Sequence, residues 1–280
     1  MLHKRKREQR SRADMHYDFT KYTNPFNVYD ALPEGMQLGD RFHLEDGRSF
    51  VCCQNTGAAA VTIGKMVSMG ATQYAIDGTN EVIIPQTDSQ NVGGRTVIEW
   101  YLGASGTTLT NACIGGYIGV ISSTGVGVYR RITDFQEFVY DDSGTDRVAY
   151  RVLLEEPLNL DLAATSVCEV FYNEYLVTLY NSGANNAGFC LLGGSACDVS
   201  VAQNKYFFVQ ISGIGMREVD GAALIAGQEF MGSNSGANGD GNVELNVSTD
   251  LVPAAGVALY AIADGVIGFV KSRTPNGTAG

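Results

Sequence analysis

The chain has 280 residues, 45% hydrophobic and 18% charged, with 34 Gly against 6 Pro. That much apolar material excludes a disordered or collagen-like chain and leaves one large all-β unit or two small domains. The formal net charge is −11, from 19 Lys plus Arg and 30 Asp plus Glu.

The charge is unevenly placed. Residues 1–12 carry Lys4, Arg5, Lys6, Arg7, Arg10 and Arg12 against the single anion Glu8, so this end is about +5 and the rest about −16. A body of that sign repels a phosphate backbone, which confines any nucleic-acid role to the arm. The histidines are His3, His16 and His43, so a Ser-His-Asp or Cys-His arrangement in the body would have to draw on His43. Zinc sites that use His meet the same shortage. Cys52, Cys53, Cys113, Cys168, Cys190 and Cys197 are scattered without a CxxC and read as buried free thiols in a reducing compartment. The basic start leads into ADMHYDFTKYTNPF rather than an apolar signal core, and GVALYAIADGVIGFV is cut by Asp264. The expectation is a soluble, cytoplasmically made chain with no membrane partner, no cofactor, no metal and no enzymatic activity.

In chain order, residues 1–40 read as an extended arm, basic and then aromatic (Tyr17, Phe19, Tyr22, Phe26, Tyr29), of a kind that lies along another surface. Residues 41–280 read as a β-rich body with a candidate subdivision near 95–110. RFHLEDGRSFVCC predicts a hairpin at Asp46-Gly47. FVCCQNTGAAAVTIGKMV (50–67) is echoed by FVQISGIGMREVDGAALIAGQEFM (208–231): each sets a strand before Gly-Ala-Ala, then Gly64 or Gly227 and an apolar pair. DFQEFVYDD and NLDLAATS are short helix candidates. RVAYRVLL places Val148, Tyr150, Val152 and Leu154 on one face, ending at Pro157 with Glu155 and Glu156 in solvent. YLVTLY, YFFVQIS and NVELNVS predict further strands, and Asp264-Gly265 a second hairpin. Gly-rich breakers, namely ASGTT, SSTGVG, NSGANNAG, GGSA and GSNSGANGDGN, separate them. The expected fold is all-β, short antiparallel strands in a sandwich or barrel with an extended N-terminal arm.

Chemistry-bearing motifs are weak. The doublets Asp141-Asp142 and Glu155-Glu156 send adjacent acids to opposite strand faces, the wrong geometry for a glycosidase pair. SGANGDGN holds one acid, Asp240, too few for a calcium loop. GVGVYR and the Gly64-Lys65 of TIGKMV lack the rest of a nucleotide motif. Asn246-Val-Ser and Asn276-Gly-Thr match the glycosylation triplet, which a cytoplasmic product does not present to that machinery. The arm remains, as an electrostatic hook for an acidic partner or a neighbouring copy.

GDRFHLEDGRSFVCCQNTGAAAVTIGKMV (39–67), GGYIGVISSTGVGVYRRI (115–132), LLEEPLNLDL (153–162), KYFFVQISGIG (205–215) and GVALYAIADGVIGFVKS (256–272) resemble, in this order, a family of capsid decoration or auxiliary head structural proteins of tailed bacteriophages. The likeness spans about residues 39–272. The tracts before Gly64 and Gly227 are also similar to the Gly-Ala-rich β-tulip pattern of small trimeric cement proteins. The resemblance implies an auxiliary virion protein on the outside of an icosahedral head, a homotrimer whose partners are the major capsid protein and copies of itself, with no catalytic residues. Lys4, Arg5, Lys6, Arg7, Arg10, Arg12, Tyr17, Phe19, Tyr22 and Phe26 are then the expected partner-binding residues. The length and the arm of residues 1–12 depart from the smaller cement proteins and leave room for a head-fibre or vertex role. A glycan-binding adhesin, using Trp100 and the Tyr-rich strands, is the alternative; a major capsid protein is a third reading, opposed by the lack of a long helix.

Overall fold

A computed structural model describes residues 24–69, 73–85, 91–122, 127–159, 161–180, 191–220, 222–233, 242–245 and 256–272. Among them lie seventeen strands, numbered β1–β17 in chain order, and a single 3-10 turn at Asn111–Cys113. The all-β expectation holds. The chain divides into two compact units: unit 1 comprises residues 1–68 and 178–280, and unit 2 is the intervening 69–177. The stretch 95–110, where the sequence suggested a subdivision, lies inside unit 2.

Unit 2 is a seven-stranded sheet in the order β4-β10-β7-β8-β9-β6-β5. The strands are β4 (Gln73–Ile76), β5 (Glu81–Ile83), β6 (Val97–Leu102), β7 (Tyr117–Ser122), β8 (Tyr129–Asp142), β9 (Thr145–Leu154) and β10 (Val167–Phe171). Alternate positions bury Ile118, Val120, Cys168 and Val170 against Trp100, Tyr150 and Val152. Trp100 is fully buried, 5.8 Å from the Tyr150 ring, so it offers no face for a sugar.

The DFQEFVYDD segment is strand, not helix. It forms most of β8 and pairs with β9 from Ile132↔Leu154 to Asp142↔Thr145. The reversal is a two-residue turn, Ser143-Gly144, both left-handed (φ 55° and 87°), which matches the twist of a hairpin. Cross-strand partners outside the segment decide its conformation, and two turns of helix without capping are marginal by themselves. NLDLAATS is loop where described, its Leu162 buried and hydrogen-bonded through N–H to Asn91 O at 3.0 Å.

Unit 1, whose boundaries fall within β3 and β11, holds the ten-stranded sheet β1-β2-β11-β3-β12-β13-β17-β16-β14-β15, with β2 also paired to β13. Its strands are β1 (Arg41–His43), β2 (Ser49–Asn55), β3 (Met66–Met69), β11 (Leu176–Leu179), β12 (Leu191–Ser195), β13 (Tyr206–Glu218), β14 (Glu229–Gly232), β15 (Val243–Leu245), β16 (Gly256–Ala258) and β17 (Ile267–Ser272). The Asp46-Gly47 reversal joins β1 to β2 as expected, with Gly47 at φ 84°. β13 pairs first with β2 and then, past a bulge between Gln210 and Ser212, with β17. GGSA is not a breaker: Gly193, Gly194 and Ser195 are strand, within β12.

The echo around Gly64 and Gly227 has a structural basis, and the same turn, led by Val, Leu or Ile, also precedes β13 and β17. Each copy runs a buried aliphatic residue, two residues, a left-handed residue, one residue, and then a strand. The copies are Val61-Gly64-Met66, Val201-Asn204-Tyr206, Leu224-Gly227-Glu229 and Ile262-Gly265-Ile267. The left-handed residues have φ of 76°, 63°, 83° and 70°. In each, the next N–H closes the turn, as Lys65 to Thr62 O (3.2 Å), Lys205 to Ala202 O (3.3 Å), Gln228 to Ile225 O (3.1 Å) and Val266 to Ala263 O (3.2 Å). The copies interlock in two pairs. Val61 and Val201 exchange N–H···O bonds of 3.0 and 2.8 Å; Leu224 and Ile262 exchange bonds of 2.9 and 2.8 Å. Asp264-Gly265 therefore closes one of these turns and is not a two-residue β16–β17 hairpin.

Candidate functional site

Nine of the ten expected partner-binding residues, Lys4, Arg5, Lys6, Arg7, Arg10, Arg12, Tyr17, Phe19 and Tyr22, lie outside the described residues. Phe26 is described, and with it the base of the arm. Its ring meets Phe50 edge-on at 6.1 Å, with the Arg48 guanidinium 5.4 Å from its centroid. Tyr29 bridges to Tyr206 through two 2.9 Å backbone bonds and stands edge-on to Phe208 at 6.1 Å. Met36 is buried in the same cluster, and Cys52 binds Gly39 N–H and Asp40 O through its own carbonyl and amide. Residues 24–40 thus lie on unit 1 of their own chain, and the arm proper starts from Asn24.

Buried polar groups in unit 1 serve its own architecture. Arg217 is fully buried, with no carboxylate partner among the described residues. Its guanidinium donates to Met216 O (2.6 Å), Ser272 Oγ (3.0 Å) and Gln210 O (3.4 Å), while Nε has no partner among the described residues. Burial brings its pKa down to about 10, so it stays protonated near neutrality. Lys65, from the TIGKMV motif, faces Glu218 at 3.1 Å and also donates to Asn242. His43 Nδ1 meets Ser49 Oγ at 2.6 Å across β1 and β2.

The carboxylate doublets behave as strand-end acids. Glu155 faces Arg131 at 3.6 Å and Glu156 faces Arg130 at 4.0 Å, while Asp142 faces Arg147 at 3.7 Å. Asp240, Asn246 and Asn276 lie outside the described residues. Among the described residues no group of three or more His, Cys, Asp or Glu side chains could hold a metal ion, and no helix is long and apolar enough to cross a membrane. Cys52, Cys53, Cys113, Cys168 and Cys197 are buried free thiols; burial raises the pKa of Cys52, Cys113 and Cys168 to about 12 and that of Cys197 to about 11.

The distinctive surface feature is apolar side chains on the solvent faces of both sheets. In unit 2, Phe171, Tyr117 and Arg131 lie in one cross-strand row of β10, β7 and β8. Tyr129, 67% exposed, stands opposite Gly119 two rows along, its ring 6.4 Å from that of Tyr117. In unit 1, β17 alternates exposed Ile267 and Phe269 with buried Gly268 and Val270, and exposed Ile214 lies two rows along on β13. The Tyr260 hydroxyl accepts the Phe269 N–H at 3.2 Å. Exposed apolar side chains grouped in this way make these two faces candidate interaction surfaces. The sequence shows the alternation that produces these strips but not which face the core covers. No protein-family model, curated protein or solved structure matches the chain.

Proposed function

We propose that the chain is a capsid decoration (cement) protein of a tailed bacteriophage, acting as a homotrimer on the outer surface of the head. The observation that carries this reading is the solvent-facing apolar strip on each β unit, Tyr117-Tyr129-Phe171 and Ile214-Ile267-Phe269. Sheet faces of this composition suit burial against neighbouring capsid subunits, and an assembled shell is stabilised by any protein that binds only its assembled form. The basic arm adds a charged contact to an acidic body or shell. The test is the copy number in purified particles. A few hundred copies support decoration, and removing residues 1–16 lowers occupancy most at low salt, where the arm's charge is least screened; unchanged occupancy of the truncated chain overturns the arm's part in attachment.

A second reading, a head-fibre or adhesin module that binds glycans, draws on the exposed rings of Tyr117, Tyr129 and Phe171, since stacking on sugar faces needs exposed aromatics. It predicts a few tens of copies per particle and binding of the isolated protein on a glycan array.

A further inference from the structure

The β8–β9 ribbon leaves an open sheet edge. β7 pairs with β8 only at Tyr129–Arg131, and past the bulge at Ile132 no described strand lies beside Thr133–Asp142 on the side away from β9. The N–H of Phe135 is taken by the Asp134 side chain at 2.8 Å rather than by a strand. Val139 and Val148, directly opposite each other, are 68% and 42% exposed, on the same face as the buried Tyr150 and Val152. The core-facing side of the sheet therefore continues past the core, and Val139 and Val148 there stay open to solvent. Across the ribbon the other face is occupied, by the Tyr101–Tyr140 stack at 5.2 Å and by Arg151 over Phe138 at 5.2 Å.

An open edge with an uncovered apolar pair is a template for an added strand. Its charge selects the occupant. Residues 133–148 carry five carboxylates, Asp134, Glu137, Asp141, Asp142 and Asp146, against the single guanidinium of Arg147. Two such edges repel each other, so a second copy does not dock edge to edge; a cationic segment is attracted. This chain contains one segment of that character. Lys4 to Arg12 supply six cations, and HYDFTKY follows with Tyr17 and Phe19 two residues apart, the spacing that puts both rings on one face of a strand. The 23 residues before Asn24 can reach roughly 75 Å when extended, enough to reach a neighbouring molecule.

We infer that the β8 edge is the docking site for the N-terminal arm of a second copy: residues 16–22 add as a strand, Tyr17 and Phe19 cover Val139 and Val148, and Lys4–Arg12 meet the acids of the ribbon. Each copy offers one arm and one edge, a heterologous contact that closes into a ring at the right rotation. The inference takes its purpose from the assembly reading above, but its test uses the isolated protein without a capsid, so either can fail alone.

The test is sedimentation of the full chain as salt is varied, with two charge-reversed variants, one in the arm and one at the exposed acids of the ribbon. One carries Lys4→Glu, Arg5→Glu, Lys6→Glu and Arg7→Glu; the other carries Asp134→Lys, Glu137→Lys and Asp141→Lys. The wild-type chain is expected to be oligomeric at low salt, each variant at least tenfold weaker in self-association, and an equimolar mixture of the two associated again. Hydrogen exchange on the wild type alone, oligomer against salt-dissociated monomer, should show the alternate amides of Gln136–Asp141 that point away from β9 protected only in the oligomer. A chain monomeric at every salt concentration overturns the inference. So does a mixture that stays monomeric while both variants keep the wild-type circular dichroism, or an edge that exchanges equally fast in both states.

Discussion

Arg217 lies flat against the backbone of Gly194: a Cβ on Gly194 would stand 2.2 Å from Cζ of the guanidinium. The cation is fully buried and held by Met216 O, Gln210 O and Ser272 Oγ, so it links β13 to β17 while passing over β12. It has little freedom to move aside. Gly194→Ala should therefore destabilise unit 1 by about 3 kcal/mol or more, as overpacking in a closed core does. Gly119→Ala is the contrast, since its added Cβ makes only an ordinary 3.7 Å contact with Tyr129. It should be neutral or slightly stabilising. Urea midpoints of the two variants decide this.

The fourfold turn predicts a graded series. Gly227 and Gly265 have open space around the missing Cβ, so alanine there meets only the left-handed backbone and should lose about 1–2 kcal/mol. Gly64→Ala should lose more, because its Cβ would also approach the Glu218 amide at 3.2 Å. Asn204→Gly, at the equivalent position, should be close to neutral. Equal losses at all four sites would overturn this grading.

Alkaline pH should unfold the reduced protein. The buried thiols titrate in the folded chain at about 11 for Cys197 and about 12 for Cys52, Cys113 and Cys168, against 9.0 ordinarily. Between these values the folded state holds protons that the unfolded state has released, so stability is intact below pH 9 and falls as pH rises. Each thiol contributes a slope of about 1.4 kcal/mol per pH unit. Arg217 acts in the opposite sense, since burial lowers its pKa to about 10 and its release of a proton relieves the folded state above that pH. The thiols therefore dominate from pH 9 to 10. Cys52→Ala should flatten the measured slope in that interval, whatever it does to the absolute stability.

Phe26 secures the base of the arm through the Phe50 ring and the Arg48 guanidinium. Phe26→Ala should lose about 1–2 kcal/mol locally and speed proteolysis within residues 24–40. The melting of unit 2 should not change, since none of these contacts involves it. Limited proteolysis timed against the wild type checks both statements.

Local pattern is what the chain writes legibly. Asp46-Gly47 announced the β1–β2 hairpin, and the alternation of Val148, Tyr150, Val152 and Leu154 announced β9. Of the turns before β3, β13, β14 and β17, the two with Gly-Ala-Ala ahead of a glycine were visible. The one closed by Asn204 was not, because a polar residue does the same backbone work without the composition cue. The candidate surface was half legible: the arm stands out by charge, whereas the exposed faces of β7, β10 and β17 look like any other strand until the core chooses its side.

The sequence alone determined the class of this protein: short antiparallel strands, an acidic body and a basic arm. Period-two alternation, left-handed turn residues and charge are properties of neighbouring residues, and they act before the chain has met itself. Tertiary structure alone decided that DFQEFVYDD is strand, that Gly193-Gly194 lies inside β12 beneath a buried arginine, that Val61 pairs with Val201 and that Val139 is left uncovered. Each of these depends on a partner far along the chain, and the free energy of that pairing outweighs the weak preferences of a few adjacent residues.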